Sequence, residues 1–141
     1  MKSILKEQEL KDYFVKQEDV EFALLFGSFA SGRVNPMSDI DIAVYFRDGN
    51  DALRLGDRQV EITCAVMSIY KVNRADVVVL NRANPFLRFQ IMKYGRLLYA
   101  RDEKIFYRFK ANSFGIYQDI KPMYHLYEIT AERSLRRGIY G

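Results

Sequence analysis

Two strand-like segments joined by a turn-rich segment constrain the fold more than any other feature of this chain. The first, VEFALLF (20–26), is almost entirely apolar, as in a central strand. The residues SGRVNPMS that follow it are mostly turn-forming, and DIDIAVYF (39–46) then alternates between two faces. One face is apolar and the other begins with two acids: Ile40, Ile42, Val44 and Phe46 lie on the first, and Asp39, Asp41, Ala43 and Tyr45 on the second.

The rest of the chain predicts alternating helices and strands. An amphipathic helix is expected over residues 4–18, with Ile4, Leu5, Leu10, Phe14 and Val15 at near-helical spacing. Further predictions are a strand over 75–81, a helix capped by Asn84 and ended by Gly95, a short strand RLLYA, and helix from Asp102 onward that is interrupted or kinked near Pro122. Residues 52–73 fit either a helix or a helix that gives way to a strand at QVEITCAV.

Length and composition indicate one soluble domain. The chain has 141 residues, 49% of them hydrophobic and 28% charged, and its apolar runs are shorter than the roughly 20 residues that cross a bilayer. A single cysteine, Cys64, excludes an internal disulfide and is expected to be a small core residue. We therefore expect a cytoplasmic protein without a membrane partner.

The net charge of +4 raises the question of nucleic-acid binding. Lysines and arginines are spread along the chain among 18 acids, and no basic run surrounds the densest group near the C-terminus. A mildly basic balance fits a nucleotide-binding protein equally well, so we do not expect direct nucleic-acid binding.

The two acids at the head of the second strand predict a metal site. Residues two apart on a strand point the same way, so Asp39 and Asp41 would lie side by side. Two adjacent carboxylates repel each other unless a cation lies between them. Mg²⁺, which binds carboxylates together with substrate phosphates, would supply that cation.

A phosphate site is expected close to these acids. Gly27 ends the first strand, and the absence of a side chain would let a phosphate approach the backbone N–H groups and hydroxyl at Ser28. Arg33 would either steer a triphosphate or remain solvated. Asp76 heads the next predicted strand as Asp39 heads its own, so it could complete a two-metal site that activates the attacking oxygen and holds the triphosphate.

The pattern Gly27-Ser28, ten residues, Asp39-x-Asp41 resembles the signature of the DNA polymerase β-like nucleotidyltransferase superfamily. The flanking GSFASGRVNPMSDIDIAV and the later ADVVVLNRANPFLRFQIMKYGRLLY extend the likeness over about residues 20–100. Within that superfamily, the chain is similar to the minimal nucleotidyltransferases (MNT) that are the antitoxins of MNT–HEPN toxin–antitoxin pairs.

The resemblance implies a nucleotidyltransferase fold of the α/β (α+β) type, in which a small mixed sheet is flanked by helices. It implies one domain over residues 1–141, with a core at about 20–100 and a helical C-terminal segment at about 102–137. It also implies an enzyme that transfers AMP from ATP, with two Mg²⁺ ions, to a tyrosine of a partner HEPN ribonuclease toxin in a hetero-oligomeric complex.

The same resemblance assigns the site residues. Gly27 and Ser28 would bind nucleotide, and Asp39 and Asp41 would be catalytic metal ligands. Asp76 would be the third acid, although Glu61 in the atypical segment QVEITCAV competes for that position.

Two other functions stay open from the sequence. One is the same chemistry on a small-molecule acceptor of the aminoglycoside type, and the other is a non-catalytic antitoxin that neutralises its toxin by contact. From a length of 141 residues we expect no further domain that could hold a small acceptor, and the C-terminal segment is rich in aromatic residues. Aromatic side chains in excess of what a small core can bury predict a protein-binding surface there.

Overall fold

The computed structural model describes residues 2–27, 40–49 and 51–136. Four helices, four strands and one short 3₁₀ turn follow one another in this part of the chain. They are α1 (Lys2–Val15), β1 (Val20–Phe26), β2 (Ile40–Phe46), α2 (Ala52–Tyr70), β3 (Ala75–Val79), the 3₁₀ turn Leu80–Arg82, α3 (Pro85–Tyr94), β4 (Arg96–Ala100) and α4 (Glu103–Arg136).

The strands form one mixed sheet in the order β3-β2-β1-β4. Strand β1 pairs antiparallel with both β2 and β4, whereas β2 and β3 run parallel. The sheet and its flanking helices confirm the predicted nucleotidyltransferase fold. Strand β1 occupies a central position, which explains why almost all of its residues are buried.

Each face of the sheet carries its own hydrophobic core. Residues Ile40, Ile42, Val44 and Phe46 of β2 pack with buried side chains of α1 and α2. Ala43 and Tyr45 lie on the opposite face, in a core to which α3 and α4 contribute. The predicted alternation along β2 is therefore confirmed from Ile40 to Phe46.

Helix α2 resolves the ambiguity of residues 52–73, because it is helical from Ala52 to Tyr70. The Asp51 side chain caps its first turn, accepting from the backbone N–H groups of Leu53 (3.1 Å) and Arg54 (3.2 Å). Its buried residues recur at helical spacing: Leu55, Ile62, Val66 and Tyr70. This cap and this apolar stripe outweigh the β-branched residues in the middle of the segment.

An ion-pair network fastens α2 to the residues before β1. Asp19 accepts hydrogen bonds from Arg54 and from Arg58, each at 2.8 Å. Burial alone would raise the pKa of Asp19, but the hydrogen bonds and charges of the two arginines outweigh it, so this pKa lies below its usual 3.8. Arg58 also donates to Gln17 (2.9 Å) and to Glu61 (2.5 Å).

Helix α3 has the predicted ends. The Asn84 side chain accepts from the backbone N–H of Leu87 at 2.8 Å, Pro85 occupies the first turn, and Gly95 follows the last residue. Strand β4 then begins at Arg96, as predicted.

Three expectations are corrected in whole or in part. Helix α4 runs from Glu103 to Arg136 with Pro122 inside it, so the predicted interruption is wrong, whereas the alternative, a kink, stays a prediction. A proline within a helix removes one backbone donor while the remaining turns stay bonded. Cys64 is exposed rather than buried, because α2 turns its other side to the core. The predicted first helix is confirmed as α1, but of its five predicted apolar positions Leu10 and Phe14 are fully buried, whereas Ile4, Leu5 and Val15 are exposed.

Across the part of the chain that the structure describes, no helix combines the length and the apolar character that crossing a membrane requires.

Candidate active site

Asp41 and Asp76 lie directly opposite each other on two parallel strands. They are paired by register, Asp41 on β2 with Asp76 on β3, so both side chains leave the same face of the sheet. Asp41 is half-buried and Asp76, on the edge strand, is exposed. The sheet therefore brings together two of the carboxylates that the sequence singled out, although they are 35 positions apart in the sequence.

Gly27 lies on the side of Asp41 opposite Asp76, next to the Asp41 carboxylate. It follows β1, whose last residue, Phe26, is the register partner of Asp41. Its φ of +71° is in the left-handed region that favours glycine. A Cβ built on Gly27 would overlap Oδ2 of Asp41 and lie 3.2 Å from its Cγ. The carboxylate thus rests against a backbone position that only glycine leaves open.

Glu61, the competitor for the third acid, lies on α2 and not on a strand. Its carboxylate binds Arg58 at 2.5 Å, and its side chain is 61% exposed. It does not line the cleft described below. The geometry groups Asp76, and not Glu61, with Asp41.

Three of the predicted residues, Ser28, Arg33 and Asp39, lie outside the described residues. Within residues 2–27, 40–49 and 51–136, no three His, Cys, Asp or Glu side chains are grouped closely enough to hold a metal ion. Asp41 and Asp76 are the pair of hard oxygen donors found at the predicted place.

A cleft of about 580 Å³ opens beside the two carboxylates. Asp41 and Asp76 line one part of it, and the side of α2 that faces away from the core lines another, with Thr63, Cys64 and Met67. A volume of this size suits a nucleotide or the side chain of an acceptor. Sequence reasoning placed Cys64 in the core and so missed its position in this cleft, since helix periodicity alone does not say which side of α2 meets the sheet.

A known family matches the part of the chain that contains this candidate site. The family described as "Polymerase beta, Nucleotidyltransferase" matches residues 8–104. That range includes all four strands and the positions of Gly27, Asp41 and Asp76.

Solved structures share the fold along most of the chain. A crystal structure of a toxin–antitoxin with AMP-PNP contains a chain with 23% identity and a TM-score of 0.72, and the match covers 90% of this chain and 96% of that one. A crystal structure of the toxin–antitoxin MntA-HepT contains a chain with 21% identity and a TM-score of 0.70, and the match covers 91% of this chain and 97% of that one. A structure of a tri-AMPylated Shewanella oneidensis HEPN toxin in complex with MNT antitoxin contains a chain with 21% identity and a TM-score of 0.67. That match covers 89% of this chain and 98% of that one.

No curated protein matches the sequence. The identities to the solved structures are low enough that those structures establish the shared fold alone. The match over residues 8–104 covers more than half of the chain and includes the paired carboxylates, and we conclude that the chain belongs to the polymerase β nucleotidyltransferase family.

Proposed function

We propose that this protein is an antitoxin that transfers AMP from ATP to a tyrosine hydroxyl of a partner HEPN toxin. The observation that carries the proposal is the pairing of Asp41 with Asp76 on two parallel strands. Gly27 lies against the Asp41 carboxylate and, having no side chain, leaves room for it. Support for the biological setting comes from the solved structures with the same fold, which include a toxin–antitoxin with AMP-PNP and a tri-AMPylated HEPN toxin in complex with MNT antitoxin.

The donor set fits magnesium. Both acids offer hard carboxylate oxygens from one face of the sheet, and the missing side chain of Gly27 leaves the Asp41 carboxylate its place. We assign Asp41, Asp76 and Asp39 as the residues that would hold two Mg²⁺ ions. When bound, these ions would neutralise triphosphate charge and make the attacking hydroxyl more acidic.

The protein's own groups would position the two substrates. Gly27 and Ser28 would offer backbone N–H groups to the triphosphate, and Arg33 would add a charge-assisted hydrogen bond. Asp76 stands on the edge strand, so its outer side is open to an acceptor that approaches beside β3. The sheet would hold these groups in fixed positions. Holding the attacking oxygen and the phosphorus atom in the geometry of reaction accounts for much of the rate enhancement of such a transfer.

The partner's landing surface would be the distal part of α4 together with the start of α3. Met123 (71% exposed), Leu126 (65%) and Tyr127 (74%) follow one another on α4, and Phe86 of α3 lies 5.6 Å from the ring of Tyr124. A groove of about 430 Å³ runs along this part of α4. Apolar and aromatic side chains left in water at this density are typical of a protein interface.

The direct test combines the purified protein, a HEPN toxin from the same source and ATP. We expect the mass of the toxin to rise in AMP-sized steps on a tyrosine, and only when both proteins, ATP and Mg²⁺ are present. Asp41→Asn should abolish the steps. The matched control is Asp57→Asn, which removes an exposed acid from α2 at a position that does not line the cleft.

The alternatives predict different results in the same assay. AMP found on an added aminoglycoside and not on the toxin would favour the small-molecule reaction. A toxin that is neutralised but unmodified, by wild type and Asp41→Asn alike, would show that contact alone is the function.

A further inference from the structure

One side chain on the core-facing stripe of α2 is polar. Gln59 follows Leu55 by four positions and precedes Ile62 by three, so it lies on the same side of the helix as these two buried residues. It is half-buried. An amide at such a position loses hydration unless it is hydrogen-bonded, and an apolar residue there would simply extend the stripe. Gln59 therefore calls for a role that leucine could not fill.

The amide of Gln59 fastens α2 to the edge of the sheet. Its Nε2 donates to the backbone carbonyl of Val77 on β3 at 2.6 Å. Among the described residues, β3 has a neighbouring strand on one side only, so the backbone groups on its other side depend on donors from outside the sheet. The hydrogen bond thus joins a helix that is packed on the core to the outer side of an edge strand.

The bonded carbonyl belongs to the residue that follows Asp76. Asp76 is the second residue of β3, a strand of five residues that pairs with β2 alone and in the parallel sense. Parallel pairing is slightly less stable per residue than antiparallel pairing, and the ends of an edge strand open more readily than the core. Opening at this end of β3 would carry the Asp76 carboxylate out of its register with Asp41.

The other end of β3 has a fastening of its own. Asn81, in the 3₁₀ turn after the strand, bonds the backbone of Phe46 through both ends of its side-chain amide. Its Oδ1 accepts from the Phe46 N–H and its Nδ2 donates to the Phe46 carbonyl, each at 2.9 Å. Because Asn81 is five positions beyond Asp76, it holds the end of β3 that lies away from the carboxylates.

We propose that Gln59 is a positioning residue for Asp76. By holding the Val77 carbonyl, it keeps the first half of β3 in register with β2, so that the Asp76 carboxylate is in place beside Asp41 before a metal ion binds. A ligand that is already in place raises metal affinity, since the ion does not have to order it. The inference rests on the metal-binding role proposed above for Asp41 and Asp76, and it is independent of the acceptor.

The test measures the affinity for Mn²⁺, a paramagnetic substitute for Mg²⁺, by water proton relaxation without nucleotide or toxin. Gln59→Met removes the donor and keeps the length of the side chain. It should weaken Mn²⁺ binding about three- to tenfold, the range that the loss of one hydrogen bond implies. Gln59→Asn keeps an amide but is one methylene shorter and cannot reach Val77, so it should weaken binding to the same extent. Because Gln59 also lines the cleft, this pair separates the hydrogen bond from the polarity of the lining.

A double-mutant cycle shows whether Gln59 acts through Asp76. Asp76→Asn alone should weaken Mn²⁺ binding, because it removes a carboxylate ligand. Adding Gln59→Met to Asp76→Asn should change the remaining affinity by less than about twofold, since the carboxylate to be positioned is gone. A residue that only supports the fold would weaken binding equally in both backgrounds.

Hydrogen exchange in the metal-free protein gives an independent measurement. In Gln59→Met, the backbone amides through which β3 bonds to β2 should exchange at least about threefold faster, whereas those of the central strand β1 should keep their wild-type rates. Asn81→Ala is the matched control, because it loosens the far end of the same strand. It should speed exchange at that end and leave the Mn²⁺ affinity unchanged.

Four results would overturn the proposal. They are a wild type that binds no Mn²⁺, a folded Gln59→Met with wild-type Mn²⁺ affinity, an equal loss of affinity in the Asp76→Asn background, and a loss in Asn81→Ala as large as in Gln59→Met. Failure of the proposed function gives a different result. A toxin that stays unmodified, together with Mn²⁺ binding that depends on Gln59 only when Asp76 is present, would refute AMP transfer to the toxin and confirm the positioning role.

Discussion

Gly27→Ala should destabilise the protein through two separable effects. The first is the backbone, since an alanine held at a φ of +71° costs about 1–2 kcal/mol relative to glycine. The second is the contact with Asp41, whose Oδ2 would overlap the new methyl group. Turning that carboxylate away from its rotamer costs about another 1 kcal/mol. We therefore expect the free energy of unfolding to fall by about 2–3 kcal/mol.

A double-mutant cycle separates the two effects. In an Asp41→Ala background the overlapping oxygen is absent, and the Cβ atom that remains at position 41 lies 3.5 Å from the new methyl group, an ordinary contact. Gly27→Ala should then cost only the backbone part, about 1–2 kcal/mol. The coupling between the two positions should be about 1 kcal/mol.

Urea denaturation followed by circular dichroism measures all four corners of the cycle. Gly56→Ala is the matched control, because nothing lies within 4 Å of a Cβ at this helical position, and alanine there should stabilise by about 0.5–1 kcal/mol. Equal costs of Gly27→Ala in both backgrounds would refute the steric argument. AMP transfer by Gly27→Ala, measured where the variant is folded, should be lost with the position of the carboxylate.

Three further predictions concern the third acid, the ion-pair network and the nucleotide. Asp76→Asn should abolish AMP transfer while Glu61→Gln and Asp57→Asn retain it, measured with labelled ATP; loss in Glu61→Gln alone would reverse the assignment. Asp19→Asn should lower the free energy of unfolding by about 1–2 kcal/mol at pH 7. Because the pKa of Asp19 is lower in the folded protein than in the unfolded chain, the stability difference between wild type and Asp19→Asn should persist down to about pH 3.8. It should vanish as the pH falls further, through the pKa of the folded state. A stability difference that stays constant in acid would argue against the ion pair with Arg58. ATP should bind more weakly in EDTA than with Mg²⁺ by calorimetry, and Asp41→Asn should remove that difference; equal affinities in the wild type would place the triphosphate away from the carboxylates.

Local patterns predicted most of the fold. Strand β2 was predictable because alternation needs only its own residues, and α3 because Asn84, Pro85 and Gly95 mark its ends in the sequence. The segment that became α2 was not, since its β-branched residues favour a strand locally. What decides it is the packing of Leu55 and Ile62 onto the sheet.

The candidate site was likewise predictable only in part from local sequence patterns. Gly27 and Asp41 belong to one continuous motif, whereas the partnership of Asp41 with Asp76 depends on the parallel register of β2 and β3, which no local pattern encodes. The exposure of Cys64 likewise depends on which side of α2 meets the sheet.

Glu21 shows what a strand pattern hides. In VEFALLF the single acid looks like a tolerated interruption of an apolar run, because an isolated polar residue in a strand usually faces water. The structure buries it instead, between the sheet and α4. The signal that could have found it is the position of the acid in a central strand, where neither face is open to water.

Strand β1 thus connects two polar ends through an apolar middle. At one end, the absence of a side chain at Gly27 leaves room for the Asp41 carboxylate. At the other end, one oxygen of the buried Glu21 carboxylate has no hydrogen-bond partner among the residues that the structure describes. Both features cost stability, since a glycine in the left-handed region loses more chain entropy on folding and a buried oxygen without a donor loses its hydration. The residues between them, from Phe22 to Leu25, are fully buried and offset these costs. The stability of the central strand therefore lies in its middle, and the buried apolar residues there are what allows a polar group at each end.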